Sequence, residues 1–256
     1  MSYKTQMRIG TVMLVAGILM LVCVLSALVL QSIKQVDIDN YPVTIDYGTL
    51  SEEQRKSMDD ILTAAENGIG QINVCPMTVT EWHEVLTHIG MYFGSMENID
   101  KLVTLDGCKA TLNLDLFLIF AERKTIIDAR IDEAVSTIVE GSDRFKLWQI
   151  SKYIADRITY TDGTRETLDG LNGNGVCTTY SMIFYKMATR LGIQTYICCG
   201  YAGEYHSWNM VELYGEKRFY DVTWYDGDFR NVRYLNDRTS WWRTFQVNNL
   251  WWEERK

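Results

Sequence analysis

Positive charge is in short supply in this sequence. Its 25 Lys and Arg residues face 33 Asp and Glu residues, and the formal net charge is −8. Nucleic-acid binding needs a basic surface that contacts phosphates, and no basic patch stands out along the chain. We therefore expect no nucleic-acid partner. No cysteine spacing fits a zinc site and no loop fits a calcium site, so we expect neither a metal nor another cofactor.

Histidine is also scarce, with three residues in the chain. His83 and His88 lie on one predicted helix in the sequence His-Glu-Val-Leu-Thr-His, which invites comparison with zinc-protease motifs. Those motifs need histidines four positions apart, whereas a spacing of five puts the two rings about 140° apart around a helix. We reject a metal site here and expect both residues at a solvated or partly packed surface. His206 is left as the candidate general base.

The chain starts with an apolar run that fits a transmembrane helix. Lys4 and Arg8 precede uncharged residues 9–30, and at about 1.5 Å per residue this run crosses a hydrocarbon core about 30 Å thick. The positive flank predicts a cytoplasmic tail (1–8), a transmembrane helix (9–33) and an extracellular remainder in a single-pass protein of the cell membrane. The alternative is a signal peptide cleaved near Ser26 and Ala27.

Residues 34–140 predict a linker followed by a small α+β region. Capping patterns predict helices that begin near Ser51 and Thr78, and Asp106-Gly107 predicts the turn of a hairpin whose second strand extends to Leu116. A long helix is predicted over about 120–140. This region either shapes a substrate groove or spaces and covers the core of the domain that follows.

Two of the six cysteines of the chain, Cys75 and Cys108, lie in this region. An exported domain permits disulfides, so a bond between them is possible, although the sequence does not establish the distance between their Cα atoms. Cys198 and Cys199 are adjacent and are expected to point to opposite faces of a strand.

The stretch from Gly173 to Leu191 carries the strongest chemical signal. Gly173 and Gly175 permit a tight turn, Asn174 is a good helix-capping residue, and Cys177 then falls in the first turn of a helix. Free N–H groups and the positive end of the helix dipole favour thiolate over thiol at this position. The preceding glycine-rich loop (158–176) is expected to form binding surface, with Tyr160 a candidate for oxyanion stabilisation beside the Cys177 N–H.

A base and an orienting group follow on two predicted strands. A two-residue turn at Tyr214-Gly215 places His206 opposite Thr223, so Asp221 becomes its diagonal neighbour on the same face. Asp221 is then able to accept a hydrogen bond from one imidazole nitrogen while the other nitrogen faces Cys177. This is the arrangement of a catalytic triad, with a nucleophile, a base and a carboxylate that orients the base.

Three ordered motifs resemble the core motifs of the transglutaminase-like superfamily. They are Asn-Gly-Val-Cys-Thr-Thr-Tyr at 174–180, His-Ser-Trp-Asn-Met-Val at 206–211 and Tyr-Asp-Val-Thr-Trp at 220–224, and the resemblance covers roughly residues 143–226. It implies a papain-like α+β fold for a catalytic domain at 141–256, with the nucleophile helix packed on an antiparallel sheet. It also implies that Cys177 is the nucleophile, His206 the base and Asp221 its orienting residue. Ser207 stands where the family often has alanine.

The expected function is that of a membrane-anchored, bacterial thiol enzyme that acts on amide or peptide bonds through a Cys thioester. The partner would be a protein or peptide substrate, including those of the cell wall or cell surface. Attack of an amine on the thioester gives acyl transfer and attack of water gives proteolysis or amidase activity, and the motifs serve both. The alternative is a catalytically silent binding or scaffold module. Tryptophans at 224, 241, 242, 251 and 252 fit either a ligand surface or a core cap.

Overall fold

The computed structural model describes residues 50–163, 165–201, 205–230, 234–237 and 246–248. These residues belong to one compact unit, residues 44–256. Within this part of the chain no helix has the length and apolar character needed to cross a membrane. The predicted transmembrane helix (9–33) and the tryptophans at 241, 242, 251 and 252 lie outside the described residues.

The first two helices begin where the capping patterns predict. Helix α1 (Glu52–Glu66) follows Ser51, whose side chain accepts a hydrogen bond from the backbone of Gln54 while the Gln54 side chain binds back to the Ser51 N–H. Helix α2 (Val79–Phe93) follows Thr78, which forms the same reciprocal pair with Glu81. Each pair satisfies two N–H groups that the helix itself leaves without a partner.

A three-stranded antiparallel sheet packs with these helices. Its strands are β1 (Gln71–Asn73), β2 (Val103–Asp106) and β3 (Lys109–Leu112), in the order β1-β3-β2. Asp106 pairs with Lys109, so the turn is Gly107-Cys108, one residue later than predicted.

The second strand of the hairpin ends earlier than predicted. Asn113 accepts a hydrogen bond from the Leu116 N–H and caps helix α3 (Leu114–Ser136). The prediction of a strand to Leu116 was therefore wrong, and the long helix predicted over about 120–140 begins and ends earlier than predicted. The alternating Leu-Asn-Leu-Asp-Leu pattern mimics a strand, but the cap starts the helix within it.

The predicted glycine-rich loop is more structured than expected. Helix α4 (Asp143–Ala155) begins after its cap Ser142. Strand β4 (Thr159–Tyr160), helix α5 (Thr167–Leu171) and strand β5 (Asn174–Gly175) follow, and β4 pairs with β5 in parallel. This short pairing holds the segment that leads into Cys177.

The larger sheet has five strands around a buried helix. Helix α6 (Cys177–Arg190) packs against strands β6 (Thr195–Tyr201) and β7 (Tyr205–Leu213) and against α3, α4 and α5. The remaining elements are β8 (Glu216–Tyr220), α7 (Val222–Gly227), β9 (Leu235–Asp237) and β10 (Gln246–Asn248). The sheet order is β10-β6-β7-β8-β9, with antiparallel neighbours.

The hydrophobic core runs through both regions of the described chain. Every residue of α6 from Cys177 to Ala188 is buried. Ile183, Phe184 and Met187 pack with α4 and the five-stranded sheet, whereas Met182 and Tyr185 pack with the core of the amino-terminal region. The chain is thus a mixed α+β protein, and the boundary at residue 141 stays a prediction.

Candidate active site

Cys177 is the first residue of α6 and is 7% exposed. Val176 occupies the cap position in an extended conformation, and its N–H donates to the Thr179 hydroxyl at 3.4 Å. Asn174 is not the cap that the sequence predicted, because it pairs with Thr159 in the β4–β5 sheet. The predicted placement of Cys177 in the first turn is nevertheless confirmed.

His206 and Asp221 are hydrogen-bonded to each other in the core. The exposed fractions are 2% for His206 and 0% for Asp221, and the distance from His206 Nε2 to Asp221 Oδ2 is 2.7 Å. Water is excluded from this pair, so the charge of the carboxylate acts on the imidazole with little screening.

The route by which Asp221 reaches His206 differs from the prediction. The Tyr214-Gly215 turn and its register are confirmed, since Leu213 pairs with Glu216. Strand β8 ends at Tyr220, however, so the predicted opposition of His206 and Thr223 on paired strands was wrong. Asp221 instead caps α7, where its Oδ1 accepts a hydrogen bond from the Trp224 N–H at 2.9 Å. One carboxylate oxygen therefore serves the helix and the other serves the histidine.

The Cys177 thiol interacts with the same imidazole, and each group shifts the pKa of the other. Burial raises the pKa of Cys177, but the hydrogen bond and charge of His206, the backbone N–H of Ser207 and the side chain of Thr178 outweigh it and lower this pKa below its ordinary value. Burial likewise lowers the pKa of His206, and hydrogen bonds with Asp221 and Cys177 raise it to about 9. Because Nε2 binds Asp221, Nδ1 is the nitrogen left for the sulfur. Both shifts favour the pair of thiolate and imidazolium over the pair of neutral groups.

Two indole rings lie nearly parallel to the His206 imidazole. The ring centroid of Trp224 is 4.9 Å from that of His206 with an angle of 14° between the planes. The corresponding values for Trp208 are 5.8 Å and 20°. Indole faces attract a cation, so this stacking favours the imidazolium form and restrains the ring's rotation.

Polar contacts between α6 and β7 fix the position of Cys177. The Ser181 hydroxyl donates to the Cys177 carbonyl at 2.7 Å and lies 2.9 Å from Ser207 Oγ. A hydroxyl has one proton to donate, so the Ser207 hydroxyl is the donor between the two oxygens. The Ser207 N–H also helps to lower the pKa of Cys177, so Ser207 acts on the nucleophile residue both at its thiol and, through Ser181, at its backbone.

Sequence reasoning missed these supporting residues. Trp208 follows His206 by two positions in a strand, and residues with that spacing share a face, so its proximity could have been found. The stacking of Trp224 depends on α7, which was interpreted as a strand. Ser181 lies one turn beyond Cys177 on a helix, but its partner Ser207 is distant in sequence and no local pattern marks the pair.

The remaining candidates from the sequence are Tyr160, His83 and His88. Tyr160 is 47% exposed, with its ring centroid 6.3 Å from that of Tyr180, and its oxyanion role stays a prediction. His83 is exposed, but His88 is fully buried, so the expectation of a surface position was wrong for His88. Its Nδ1 donates to the Glu84 carbonyl at 2.8 Å, and burial lowers its pKa to about 4.

The other cysteines that the structure describes are all free thiols. Cys75 and Cys108 are free thiols rather than a disulfide, and Cys198 is buried while Cys199 is partly buried. In the described ranges no three His, Cys, Asp or Glu side chains are grouped as metal ligands.

Two solved structures are similar to parts of this chain. A "putative cysteine protease" from Cytophaga hutchinsonii is 20% identical, with a TM-score of 0.34 over 38% of this chain and 37% of its own. A TGase is 13% identical, with a TM-score of 0.35 over 64% of this chain and 47% of its own. The chain thus spans less than half the length of either protein. A match over so small a part of each protein says nothing about activity. No protein-family model and no curated protein matches the chain.

The residues that carry the sequence motifs are also neighbours in space. Cys177, His206 and Asp221 follow one another in the chain in the order of the three motifs, and the imidazole interacts with both of the other side chains. In its motifs and in the arrangement of these three residues, the chain resembles the transglutaminase-like superfamily.

Proposed function

We propose that this protein is a thiol enzyme that acts on amide or peptide bonds of proteins or peptides through a thioester on Cys177. The observation that supports it most is the 2.7 Å contact between His206 Nε2 and Asp221 Oδ2, and Cys177 acts on the same imidazole by raising its pKa. This arrangement supplies a nucleophile, a proton carrier and a group that orients the carrier.

The first half of the reaction breaks the amide bond. The Cys177 thiolate attacks the carbonyl carbon, a C–S bond forms, and the carbonyl oxygen becomes an oxyanion. As the oxyanion collapses, the C–N bond breaks and the His206 imidazolium gives its proton to the departing nitrogen. An amine leaves and the acyl group remains on sulfur as a thioester.

The second half regenerates the thiolate. Neutral His206 takes a proton from water or from a second amine, which attacks the thioester carbonyl and displaces Cys177 sulfur. Water gives a carboxylic acid, which is hydrolysis, and an amine gives a new amide, which is acyl transfer. Asp221 stays ionised throughout and stabilises the imidazolium whenever it forms.

Oxyanion stabilisation is assigned to the start of α6. The first N–H groups of a helix have no intrahelical partner, and the Cys177 N–H is one of them. Donors of this kind are effective in a buried site because they need no reorganisation during the reaction. Tyr160 is proposed as the second donor, from the neighbouring strand β4.

The proposal extends to the fold and to the cellular location. A papain-like arrangement of the domain at 141–256 is supported by α6 packed on the antiparallel strands that carry His206 and precede Asp221. A single-pass membrane anchor at 9–33, with the enzyme outside the cell, is supported by the sequence alone. Carbonate extraction of membranes that contain the full chain, with and without residues 1–33, tests the anchor.

A reactivity measurement tests the enzyme proposal. The full chain is treated with iodoacetamide near neutral pH, and alkylation of Cys177 is followed by peptide mapping, with the exposed Cys108 as an internal reference. We expect Cys177 to react faster than Cys108 and expect His206→Ala to slow only Cys177. Slow, equal alkylation of Cys177 in both proteins would contradict the proposal.

Hydrolysis and transfer are separated with a glutamine-containing protein library and a labelled primary amine. Label incorporation that Cys177→Ala abolishes indicates transfer, and new peptide termini without label indicate hydrolysis.

The burial of Cys177, with 7% of its surface exposed, favours one second candidate function, that of a silent binding module. That candidate requires binding of protein ligands with no chemical change in them.

A further inference from the structure

A cleft lies beside the segment that leads to Cys177. It has a volume of about 370 Å³ and is lined by residues of α3, by Tyr153 and Arg157 near the end of α4, and by Leu171, Asn172 and Gly173. Gly173 precedes the nucleophile by four positions, so their Cα atoms are at most about 14 Å apart. A group bound in the cleft is therefore within the reach of a short peptide held at Cys177.

The cleft holds positive charge in an acidic protein. Arg130 and Arg157 both line it, and neither forms an ion pair with any residue that the structure describes. Arg190, Arg218 and Arg230, by contrast, each contact a carboxylate. Glu133 is the acidic residue of the lining, so the cleft carries a local excess of one positive charge while the whole chain carries −8.

Neutral contacts fix both guanidinium groups. The guanidinium carbon of Arg157 lies 3.8 Å from the centroid of the Tyr153 ring. Arg130 donates to Asn172 Oδ1 at 2.6 Å and to the Leu171 carbonyl oxygen. A guanidinium has five N–H groups, so these two bonds leave donors for a ligand. Because the acceptors carry no formal charge, the positive charge is held in place but not neutralised.

We infer that this cleft binds a carboxylate group of a peptide, in contact with Arg157 and Arg130. A planar guanidinium matches a carboxylate with two parallel hydrogen bonds. The volume fits an organic ligand rather than a bare ion, and the Tyr153 ring and the Leu171 side chain supply apolar wall. That the carboxylate belongs to a peptide rests on the proposed function, whereas the cationic cleft does not.

Calorimetric titration of the full chain tests the inference in a Cys177→Ala background, where no turnover consumes the probe. The probes are the tetrapeptide Ac-Ala-Gly-Tyr-Ala with a free carboxyl terminus, its carboxyl-terminal amide, the same amide with Glu in place of Tyr, and inorganic phosphate. We expect the free acid or the Glu-containing amide to bind at least tenfold more tightly than the uncharged amide, as loss of a charge-assisted hydrogen bond implies. The first result identifies a terminal carboxylate as the ligand group, and the second a side-chain carboxylate.

Arg157→Gln is the test variant because Arg157 is exposed and its loss leaves the Arg130 contacts intact. It should remove the preference for the acid. Arg144→Gln, at an exposed arginine of α4 outside the cleft, is the matched control and should keep the preference. Equal binding of acid and amide, binding of phosphate alone, no binding of any peptide, or equal losses in the two variants would each overturn the inference. Alkylation of Cys177 in the Arg157→Gln variant of the otherwise native chain reports separately on the proposed chemistry.

Discussion

Replacing Asp221 by asparagine removes one negative charge and almost nothing else. Asparagine has the same shape, and its side-chain oxygen is still able to accept the Trp224 N–H, so the cap of α7 is retained. What changes is the partner of His206 Nε2, from a fully buried carboxylate at 2.7 Å to a neutral amide. The variant therefore isolates the electrostatic effect of Asp221 on the imidazole.

The expected shift follows from the strength of this contact. A hydrogen bond to a charged group contributes about 1.5–3 kcal/mol, and about 1.4 kcal/mol corresponds to one pH unit. The pKa of His206, about 9 in the native chain, should therefore fall by about one to two pH units in Asp221→Asn. The pKa of Cys177 should rise, because a less stable imidazolium stabilises the thiolate less.

The assay is the rate of Cys177 alkylation by iodoacetamide between pH 5 and pH 10. Iodoacetamide is uncharged, so its rate follows the thiolate population. In the native chain the rate should already be high at neutral pH, since the pKa of Cys177 is lowered by its partners. In Asp221→Asn the rise in rate should move to higher pH, and NMR of the imidazole should show its titration at lower pH. Both apparent pKa values belong to the coupled pair.

Asp226→Asn is the matched control. Asp226 lies on the same helix, and its carboxylate contacts the Tyr180 hydroxyl at 2.9 Å instead of His206. This variant should leave the alkylation profile of Cys177 unchanged. Identical profiles for the native chain and Asp221→Asn would refute the reasoning, because they would mean that the buried carboxylate does not act on the imidazole.

Three other perturbations have defined outcomes. A raised pKa of His206 adds stability that is complete below about pH 6.5 and is lost as pH rises through the folded-state pKa. Cys177→Ala removes the part of this shift that comes from Cys177 and keeps the part that comes from Asp221; in urea titrations of this variant the free energy of unfolding should fall as pH rises above about 6.5, and it should not fall there once His206→Gln is added. Trp224→Leu removes the stacked indole and should lower the pKa of His206, measured by NMR, by up to about one pH unit. The reason is that cation–π contacts contribute about 0.5–2 kcal/mol, depending on their exposure. An unchanged pKa would show that the stacking does not stabilise the imidazolium. Ser181→Ala breaks both bonds of its buried hydroxyl and should lower the free energy of unfolding by about 1–3 kcal/mol, with Ser136→Ala, at an exposed serine on α3, as the control that should change little.

Local patterns predicted the elements whose signals are local. The caps at Ser51 and Thr78 depend on residues three positions apart, and both are formed. The hairpin of β7 and β8 depends on a two-residue turn, and both Tyr214 and Gly215 adopt the positive φ angles that such a turn needs. That register led to the prediction that His206 and Asp221 are neighbours, although Asp221 reaches His206 from the start of α7 and not from a paired strand.

Competition between two local signals explains the errors. Residues 110–116 alternate like a strand, but Asn113 offers a cap and the helix begins there. Asp221 likewise ends the strand pattern by capping α7. The stacking of Trp224 on His206 and the Ser181–Ser207 bond arise only when α6, β7 and α7 pack together, so no single segment of sequence encodes them.

The two oxygens of Asp221 couple acid–base alignment to the folding of a single turn of helix. If residues 222–227 unwind, the carboxylate is no longer held by the Trp224 N–H, and the imidazole loses its anchor and a stacked ring in one event. Any ligand or neighbouring chain that orders or unwinds this turn would consequently switch the nucleophile on or off without contacting the sulfur. Hydrogen exchange at the Trp224 amide is thus a direct gauge of how often the site is assembled.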